Sequence, residues 1–352
     1  MRPDLVPVRG DLWSDDLHAR ATPLGVPLAG NFELTARCNF NCKMCYVHRD
    51  GESSGELSAE EWLELGKRGA ARGMLFLLLT GGEPLLREDF REIYTGLKKL
   101  GLLLSINTNG YFLDAAMVAF LKKNPPVRVN VSLYGGGDGD YRELCGVPAF
   151  GRVAENILRT KEAGLPVRLN TVITPANARS APAIRAFAEA HRLHIKGTSY
   201  LFPPVRISGG QWGCAPCRFE PEEAAEQLSL WRKGQPFRVR EREDCPDLMG
   251  APMNCRAGKT SFWVTWDGRM LPCGMFPGEG YGLKALGFDR AWELVRRDCA
   301  AIRLPVACSS CADRDACALC AASCLAETGG FDRPPEYICR MTKHLRAITE
   351  DK

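Results

Sequence analysis

The stretch Cys38-Asn-Phe-Asn-Cys42-Lys-Met-Cys45-Tyr46 places three thiols in one short loop, with the spacing C-x3-C-x2-C. A cubane [4Fe–4S] cluster ordinarily takes four cysteines, one for each iron. Three local thiolates would leave one iron with open coordination sites, where a small molecule can bind the metal directly. The alternative is a zinc knot, but structural zinc usually takes its cysteines in C-x2-C pairs and fills all four positions. The spacing therefore favours an open iron–sulfur cluster over zinc.

A glycine-rich turn follows the next predicted strand. Gly81-Gly82-Glu83-Pro84 comes directly after the apolar run Met74–Thr80, which has the composition of a buried parallel strand. A glycine pair lets the backbone approach a ligand closely, and the proline stiffens the turn. The carbonyls of such a turn can accept hydrogen bonds from an ammonium group. By itself the motif also suits an ordinary strand-to-helix turn, so its weight comes from its position after the cysteine loop.

Together the two motifs resemble the signature of the radical S-adenosylmethionine (SAM) superfamily, with its cysteine loop after the first barrel strand and its GGEP after the second. Met44 stands where that family usually has an aromatic residue. The resemblance implies that a [4Fe–4S] cluster binds to Cys38, Cys42 and Cys45. It also implies that the methionine group of SAM chelates the open iron beside the Gly81–Pro84 turn. One electron from the cluster would then cleave the sulfonium and release a 5′-deoxyadenosyl radical.

Strand and helix patterns alternate from about residue 30 to residue 201. The predicted strands are Asn31–Thr35, Met74–Thr80, Leu102–Thr108, Val127–Tyr134, Val167–Ile173 and His194–Leu201. The predicted helices are Ser58–Ala71, Arg87–Leu100, Asp114–Lys123, Phe150–Ala163 and Ala181–His191, and Ser58 with Glu61 forms a capping box. Six such repeats predict an α/β fold whose parallel sheet curls into a partial (β/α)6 TIM-like barrel. Ligands bind at the carboxyl ends of such strands, where both motifs lie.

Four further residues are candidate SAM contacts: Asn109, Ser132, Arg152 and Asn170. Asn109 follows the third strand and would reach the ribose hydroxyls, unless it only forms an Asn-Gly turn. By resemblance, Ser132 contacts the ribose or carboxylate of SAM, unless its hydroxyl only forms a local hydrogen bond. Arg152 matches a basic residue that the family often directs at the SAM carboxylate; the alternative is a solvated charge on the helix. Asn170 lies on the fifth strand, near the expected nucleoside. His48 follows the cysteine loop but would block SAM if it bound the fourth iron, so we interpret it as a loop histidine.

Composition places the chain among cytoplasmic enzymes rich in iron. Its 352 residues are 45% hydrophobic and 25% charged, with a net charge of +4 and 16 cysteines. We predict an N-terminal extension (1–28), the barrel (29–202), a bridge (203–250) and a small cysteine-rich iron–sulfur domain (251–352). No signal peptide, no apolar run of ~18 residues and no basic stripe with interleaved aromatics is evident, so neither a membrane nor a nucleic acid is expected as a partner. Metal-type cysteine spacings favour clusters in a reducing cytoplasm over disulfides.

The C-terminal cysteines form a second pattern. After Cys255, Gly268 and Cys273 come Cys308-x2-Cys311-x5-Cys317-x2-Cys320-x3-Cys324 and then Cys339. This array resembles the SPASM domain, which carries two auxiliary [4Fe–4S] clusters and would bring the total to three. A zinc ribbon built on two C-x2-C pairs is the alternative, but it leaves the other thiols unexplained. The array departs from the family at position 321, where alanine replaces a cysteine; Cys320 lies one residue early and Cys324 three residues late.

By the same resemblance the auxiliary ligands interleave. One closed cluster would take four thiolates, from Cys308, Cys311, Cys317 and Cys339. Cys255 and Cys273 would share the other cluster with Cys320 or Cys324, of which the spacing slightly favours Cys320. The fourth ligand there is the unused one of those two, or Cys245, or none. An open site would let a substrate thiolate bind iron, whereas a closed site suits electron relay.

Proteins with this domain mostly modify peptides, so the resemblance implies a peptide or protein substrate that receives a thioether or carbon–carbon crosslink. A flavodoxin or ferredoxin would supply electrons. Fewer than 30 residues precede the first strand, too few for a winged-helix leader-binding module, so the leader of a precursor peptide would be recognised by the barrel, the bridge region or a separate protein. A sulfatase-maturase-like enzyme and a small-molecule dehydrogenase are the catalytic alternatives, and an iron–sulfur electron carrier or zinc protein is the non-catalytic one. Cys214-Ala-Pro-Cys217 in the bridge is a candidate catalytic dithiol, unless it is a pair of structural loop thiols. The roles of Cys145 and Cys299 are open.

Overall fold

The computed structural model describes residues 10–46, 55–205, 217–232, 253 and 255–350. Its centre is a nine-stranded sheet in the order β6-β5-β4-β3-β2-β1-β7-β8-β9. The strands are β1 Ala29–Glu33, β2 Phe76–Thr80, β3 Leu103–Thr108, β4 Arg128–Ser132, β5 Val167–Val172, β6 Ile195–Thr198, β7 Ser261–Val264, β8 Arg269–Leu271 and β9 Tyr281–Gly282. Strands β1 to β7 pair in parallel, while β8 and β9 are antiparallel. The α/β class and the six predicted strands are confirmed.

The seventh strand comes from the cysteine-rich region and pairs with β1, with Ala29 opposite Ser261. Side chains reinforce this edge. The Trp263 indole Nε1 donates to Glu33 Oε2 at 2.7 Å, and Asn31 Nδ2 donates to the Phe262 carbonyl at 2.8 Å. The six-stranded sheet that we predicted would have left β1 as an unpaired edge, which proteins usually cover. The sheet therefore continues past the boundary placed at residue 250, although the predicted division into domains is not otherwise tested.

Eleven helices surround the sheet in the described part of the chain. They are α1 Gly10–Leu24, α2 Ala59–Ala71, α3 Phe90–Lys99, α4 Ala115–Lys123, α5 Asp138–Cys145, α6 Phe150–Glu162, α7 Ala181–Ala190, α8 Pro221–Arg232, α9 Leu283–Ala301, α10 Ala321–Thr328 and α11 Glu336–Glu350. The predicted helices and the capping box of Ser58 with Glu61 are confirmed. Helix α5 was not predicted, because a glycine run precedes it and its eight residues are too short for a clear periodicity.

The two faces of the strands have different chemistry, as a period of two requires. On the outer face Phe32 packs between Trp62 of α2, with ring centroids 4.9 Å apart, and Phe262 of β7, at 6.5 Å. The inner face is polar, and Asn130 Nδ2 donates to Asn107 Oδ1 at 2.8 Å across β4 and β3. Apolar burial therefore fixes the helices outside the sheet and leaves amide groups facing inward. Within the described residues, no helix is both long and apolar enough to span a bilayer.

Candidate functional site

A cavity of ≈ 450 Å³ lies at the carboxyl ends of the parallel strands. It brings together three groups of predicted site residues, namely the cysteine loop, the glycine pair and three strand-end side chains: Cys38, Cys42, Cys45, Gly81, Gly82, Asn109, Ser132 and Asn170. Further polar lining comes from Asn107, Asn130 and Thr198, which sequence analysis did not select. Their signal was the alternation of polar residues along strands whose other face is apolar. The roles assigned to these residues remain predictions.

Helix α5 holds the cysteine loop in place. The backbone N–H of Asn41 donates to the Cys145 carbonyl at 2.9 Å, and that of Lys43 donates to the Leu144 carbonyl at 2.9 Å. Within the loop, Cys45 N–H donates to the Cys42 carbonyl at 3.0 Å. A hydrogen bond with the Cys145 thiol, together with burial, raises the pKa of Cys42. The loop therefore has a fixed shape that does not depend on its three sulfurs alone.

Asn109 supports the loop from the end of β3. Its amide Nδ2 donates to Asn39 Oδ1 at 2.8 Å and lies 3.8 Å from Cys38 Sγ, while its Oδ1 accepts from Tyr111 N–H at 2.9 Å. The Phe40 N–H also donates to Cys38 Sγ, at 3.4 Å. Burial raises the pKa of the Cys38 thiol, and the hydrogen bond from Phe40 N–H opposes that rise, so the role of Cys38 as a metal ligand stays a prediction.

The glycine pair allows two chain segments to approach each other. A Cβ on Gly82 would lie 2.3 Å from the Arg37 carbonyl oxygen, and one on Gly81, where φ is +154°, would lie 2.6 Å from that of Thr35. The Gly82 N–H donates to the Thr35 carbonyl at 2.7 Å. The pair was predicted to admit a ligand, and it does line the cavity. Its steric requirement, however, is contact with the segment that leads into the cysteine loop.

The Glu83 carboxylate is fully buried and does not line the cavity. It accepts hydrogen bonds from Leu85 N–H at 3.0 Å, Thr108 Oγ1 at 2.8 Å and Asn109 N–H at 2.7 Å. Burial raises the pKa of Glu83 to about 7. The three hydrogen-bond donors oppose this rise, because they stabilise the ionised carboxylate. Glu83 thus ties the turn after β2 to the end of β3, and Pro84 is likewise buried outside the cavity. Their predicted contact with a cofactor remains a prediction.

Arg152 also lies outside the cavity. Its Nε donates to the Tyr111 carbonyl at 3.1 Å, and its guanidinium carbon lies 4.0 Å from the centroid of the Tyr111 ring. Ser132 and Asn170, by contrast, are paired in register on β4 and β5, and both face the cavity. The structure therefore brings two of these three candidates together and separates the third. Cofactor binding by Arg152 stays a prediction, which its present contacts do not support.

The family match agrees with this geometry. Residues 32–196, from β1 into β6, match the sequence model of the radical SAM superfamily. This segment, a little under half of the chain, is a radical SAM domain. The matched segment holds the cysteine loop, the glycine pair and all the strands that carry predicted SAM contacts.

Sequence relatives of known name match less than half of the chain. The probable GTP 3′,8-cyclase of Sulfolobus acidocaldarius is 39% identical over 150 residues, or 42% of this chain and 47% of that protein. The probable GTP 3′,8-cyclase of Saccharolobus solfataricus is 38% identical over 150 residues, or 42% of this chain and 48% of that protein. The chain thus spans about half the length of the curated relatives it matches.

Solved structures match nearly the whole chain. Streptococcus suis SuiB bound to S-adenosylmethionine superposes with a TM-score of 0.65 at 17% identity, covering 95% of this chain and 84% of that one. The enzyme anSMEcpe with bound AdoMet superposes with a TM-score of 0.70 at 17% identity, covering 92% of this chain and 97% of that one. At this identity the likeness is one of fold. It confirms a radical SAM partial barrel followed by a C-terminal cysteine-rich region.

The mouth of the radical SAM cavity is aromatic and contacts the C-terminal region. Met275, two residues after Cys273, lines the cavity together with Tyr200 and Phe202. The Tyr200 hydroxyl donates to Glu327 Oε1 of α10 at 3.1 Å. Arg218 pairs with the same carboxylate, and its guanidinium carbon lies 3.5 Å from the Tyr337 ring centroid. This cluster joins the barrel, the bridge residue Arg218 and two C-terminal helices beside the cavity.

Six C-terminal cysteines line a second cavity of ≈ 380 Å³: Cys255, Cys308, Cys311, Cys317, Cys320 and Cys339. The four predicted to form one closed cluster are among them. Burial, with the nearby sulfurs of Cys339, Cys317 and Cys311, raises the pKa of Cys308 to about 11. Such thiols become thiolates when a metal binds them. Among the described residues, no group of three or more His, Cys, Asp or Glu side chains is close enough to hold a single metal ion. A cubane cluster requires a wider spacing, because each thiolate binds a different iron.

The other auxiliary candidates are arranged less simply. Cys320 shares the second cavity with Cys255, whereas Cys324 is buried in α10 and Cys273 lines neither of the two cavities. This placement supports Cys320 over Cys324, although the ligand set itself is not tested. Cys299 is buried in α9, where a Cβ on Gly258 would come within 2.3 Å of its sulfur.

The bridge thiols are only partly described. Cys217 is buried and lines neither cavity, so its predicted catalytic role stays a prediction without support from its position. Its predicted partner Cys214, the candidate ligand Cys245 and the loop residue His48 lie outside the described residues.

Proposed function

We propose that this radical SAM enzyme binds SAM and one [4Fe–4S] cluster in the barrel cavity and modifies a peptide substrate there. The observation that carries the proposal is one cavity whose wall holds three thiols of a single loop, polar strand-end groups and an aromatic mouth in contact with the second cysteine region. When bound, the cluster supplies the electron that cleaves SAM to a 5′-deoxyadenosyl radical, which abstracts a hydrogen atom from the substrate.

The chain's own residues would bind the cluster and SAM, orient them, and exclude water from the cavity. Cys38, Cys42 and Cys45 would hold three irons, while the cavity beside them leaves room for the ligand of the fourth. Asn109, Ser132 and Asn170 offer hydrogen bonds to the ribose, carboxylate and nucleoside of SAM. Phe40 beneath the loop is buried, and its ring packs edge-on against Tyr111 at 5.9 Å. This apolar layer closes the side of the cavity away from solvent, which protects a radical from side reactions.

The lining of the cavity favours a peptide over a nucleotide. Among its described lining residues none is Lys, Arg or His, so the anionic phosphates of a substrate such as GTP would lack charged partners there. The mouth instead offers Tyr, Phe and Met side chains, which suit peptide side chains. Solved neighbours of the same fold are bound to peptides, the precursor SuiA in SuiB and Cp18Cys in anSMEcpe. These points support a crosslink in a ribosomally made peptide, such as a thioether or a carbon–carbon bond.

We further propose that the C-terminal region is a SPASM domain with two auxiliary [4Fe–4S] clusters. Cys308, Cys311, Cys317 and Cys339 would close one of them, which then relays electrons. Cys255, Cys273 and Cys320 would hold the other, close to Met275 at the rim of the barrel cavity. A flavodoxin or ferredoxin would reduce the enzyme, and a separate protein would present the leader of the substrate.

A second candidate function is the modification of a small molecule. It is favoured by the sequence relatives, which are named as probable GTP 3′,8-cyclases and are 38–39% identical to this chain over 150 residues. Deuterium transfer distinguishes the two. A fully deuterated candidate peptide, encoded beside the gene of this protein, should label 5′-deoxyadenosine in a mass spectrum. Labelling from deuterated GTP, with none from peptide, would establish the small-molecule function instead.

The cluster assignment is tested with a triple variant in which Cys38, Cys42 and Cys45 are alanine. After anaerobic reconstitution with iron and sulfide, production of 5′-deoxyadenosine should fall to background, while about two thirds of the iron, that of two clusters out of three, remains. Cys299→Ala is the matched control for loss of a buried thiol elsewhere, and we expect it to keep SAM cleavage. Unchanged cleavage in the triple variant would refute the assignment.

A further inference from the structure

Helix α10 connects the two cavities of the molecule. Its N-cap residue, Cys320, lines the second cavity. Its last turn carries Glu327, whose Oε1 accepts from the hydroxyl of Tyr200 at 3.1 Å, and Tyr200 lines the radical SAM cavity. The rise along the helix axis from Cys320 to Glu327 is roughly 10 Å. A residue of the C-terminal region therefore reaches the wall of the radical SAM cavity through one short helix.

The start of α10 is held firmly. The Ser323 N–H donates to Cys320 Sγ at 3.3 Å, and the Cys320 N–H donates to Ser323 Oγ at 3.2 Å. This reciprocal cap satisfies N–H groups that a helix otherwise leaves unpaired at its start. The first four residues of the helix, 321–324, are buried. A short helix would fray alone, but this one is a fixed support for the Glu327 carboxylate.

Arg218 holds the same carboxylate from the other side. Its Nη1 donates to Glu327 Oε2 at 3.3 Å, and its Nη2 donates to Oε1. Both side chains are only 13% exposed, so solvent screens the pair weakly. The Arg218 guanidinium carbon lies 3.5 Å from the ring centroid of Tyr337, whose hydroxyl donates to the Phe219 carbonyl at 2.8 Å. Two parallel bonds to a guanidinium fix the orientation of a carboxylate, so Glu327 has little freedom to turn away from Tyr200.

Tyr200 presents its ring rather than its hydroxyl to the cavity. Burial, with the charge of Glu327, raises the pKa of Tyr200 well above its usual range, so the hydroxyl stays protonated and donates to Glu327. The ring packs edge-on against that of Phe202, with centroids 6.0 Å apart, and both residues line the cavity. With its polar end engaged, the tyrosine offers a substrate a large apolar surface.

We propose that Tyr200 is a specificity-determining residue whose ring contacts the substrate peptide, and that Glu327 and Arg218 are positioning residues that hold this ring. The inference rests on the proposed function, because it takes a peptide as the occupant of the cavity mouth. A contact surface that is fixed before binding costs the complex less ordering free energy than a mobile one. The C-terminal region thus contributes to peptide binding directly, and not only through its thiols.

Two other roles for this cluster make different predictions. If Tyr200 were a radical relay, loss of its O–H would stop product formation and leave peptide affinity unchanged. If the cluster only joined the bridge to the C-terminal region, any ion pair across that joint would matter equally. Tyr200→Phe removes the hydroxyl and keeps the ring, whereas Glu327→Met removes both acceptor oxygens at similar length. Glu222→Met is the matched control, because Glu222 of α8 pairs with Arg340 of α11 at 2.7 Å and neither lines the radical SAM cavity.

The experiment measures the affinity of the reconstituted full-length enzyme for the candidate peptide encoded beside its gene. SAM is present and the reductant is left out, so that binding is separated from turnover; product is measured afterwards, on addition of the reductant. We expect Tyr200→Phe and Glu327→Met each to weaken peptide binding about tenfold, from loss of a hydrogen bond to a charged group. The double variant should also be about tenfold weaker, because both changes break the same unit. Glu222→Met should bind the peptide like the wild type.

Each other outcome overturns the inference. Wild-type peptide affinity in both single variants would show that the contact plays no part in binding, and the same affinity without product in Tyr200→Phe would make Tyr200 a radical relay. Losses that multiply in the double variant would show two independent effects. A similar loss in Glu222→Met would assign the effect to the joint as a whole.

The affinity for SAM, measured on the same samples, separates positioning from damage to the fold. Equal losses of SAM and peptide affinity would assign the effect to the fold of the barrel and not to the Tyr200 ring. A wild-type enzyme that cleaves SAM but does not bind the peptide would refute the proposed peptide substrate itself. That result differs from an equal peptide affinity of the wild type and the variants, which refutes only the role of Glu327 and Tyr200.

Discussion

The two cysteine regions of this chain are built in opposite ways. In the loop, all three sulfurs come from residues 38–45. Backbone hydrogen bonds to α5 and a side-chain hydrogen bond from Asn109, after β3, hold that segment. In the C-terminal cavity, six sulfurs come from a span of more than eighty residues. They belong to a 3-10 helix that ends at Cys308, to the N-cap of α10 at Cys320, to α11 at Cys339 and to the segments between.

This difference decides what the metal contributes in each region. A loop that is held by a sheet has its shape before metal binds, so the metal adds chemistry more than stability. These C-terminal segments are joined by hydrogen bonds such as that from Arg346 Nη1 to the Ala312 carbonyl, but by no strand pairing among the described residues, so a bound cluster would contribute part of their folding free energy. The comparison therefore predicts a preorganised barrel site and a metal-dependent C-terminal region.

The largest expected effect is that of Cys317→Ala. Cys317 lies in the second cavity, and its sulfur accepts from Thr342 Oγ1 at 3.6 Å. Removing one ligand of a closed four-thiolate cluster should remove about four irons and expose the C-terminal region to limited proteolysis. Cys38→Ala is the matched variant, and it should also lose iron but keep the protease resistance of the wild type. Equal proteolysis of the two variants would contradict the comparison.

A smaller effect is expected inside the barrel from Glu83→Ala. The substitution leaves three buried donors, at Leu85, Thr108 and Asn109, without their acceptor. We expect the free energy of unfolding to fall by about 2–4 kcal/mol, measured in denaturant on the metal-free protein. The exposed Glu64→Ala serves as the control, with a change below about 1 kcal/mol. If the two changes were equal in metal-free protein, the barrel site would not be preorganised.

The smallest effect concerns the joint between the two regions. His18 of α1 is buried, and its Nδ1 lies 2.7 Å from Thr260 Oγ1 beside β7. Burial, with the charge of Arg256, lowers the pKa of His18 from 6.5 to about 4. The folded pKa lies below the unfolded one, so this contribution to stability is complete above pH 6.5 and is lost as pH falls toward 4.

The variant His18→Gln should remove this pH dependence. Between neutral pH and the middle of that window, the wild type should lose about 1 kcal/mol more than the variant, seen as a larger drop in Tm. Asp16→Asn, on the same helix and mostly exposed, controls for general acid effects. Parallel curves for wild type and His18→Gln would show that His18 does not couple α1 to β7.

The strands and helices of the barrel could be predicted because each repeat carries its own periodicity and its own turn. Helix α5 could not, since its eight residues follow three glycines and its helical form depends on packing against the cysteine loop. Strand β7 was missed for a related reason. Its four residues lie among cysteines, and their pairing with β1 joins positions more than 200 residues apart.

Sequence by itself determined the chemistry of this protein: three thiols at a spacing that leaves one iron open, and a glycine pair after the next strand. Those features depend only on residues that are close together along the chain, so they can be recognised directly from the sequence. Tertiary structure alone decided which side chains share a cavity. It turned Glu83 and Arg152 away from the cavity, directed Asn107 and Asn130 into it, and set Cys145 against Cys42. Such contacts depend on the packing of distant segments, which no spacing along the chain records.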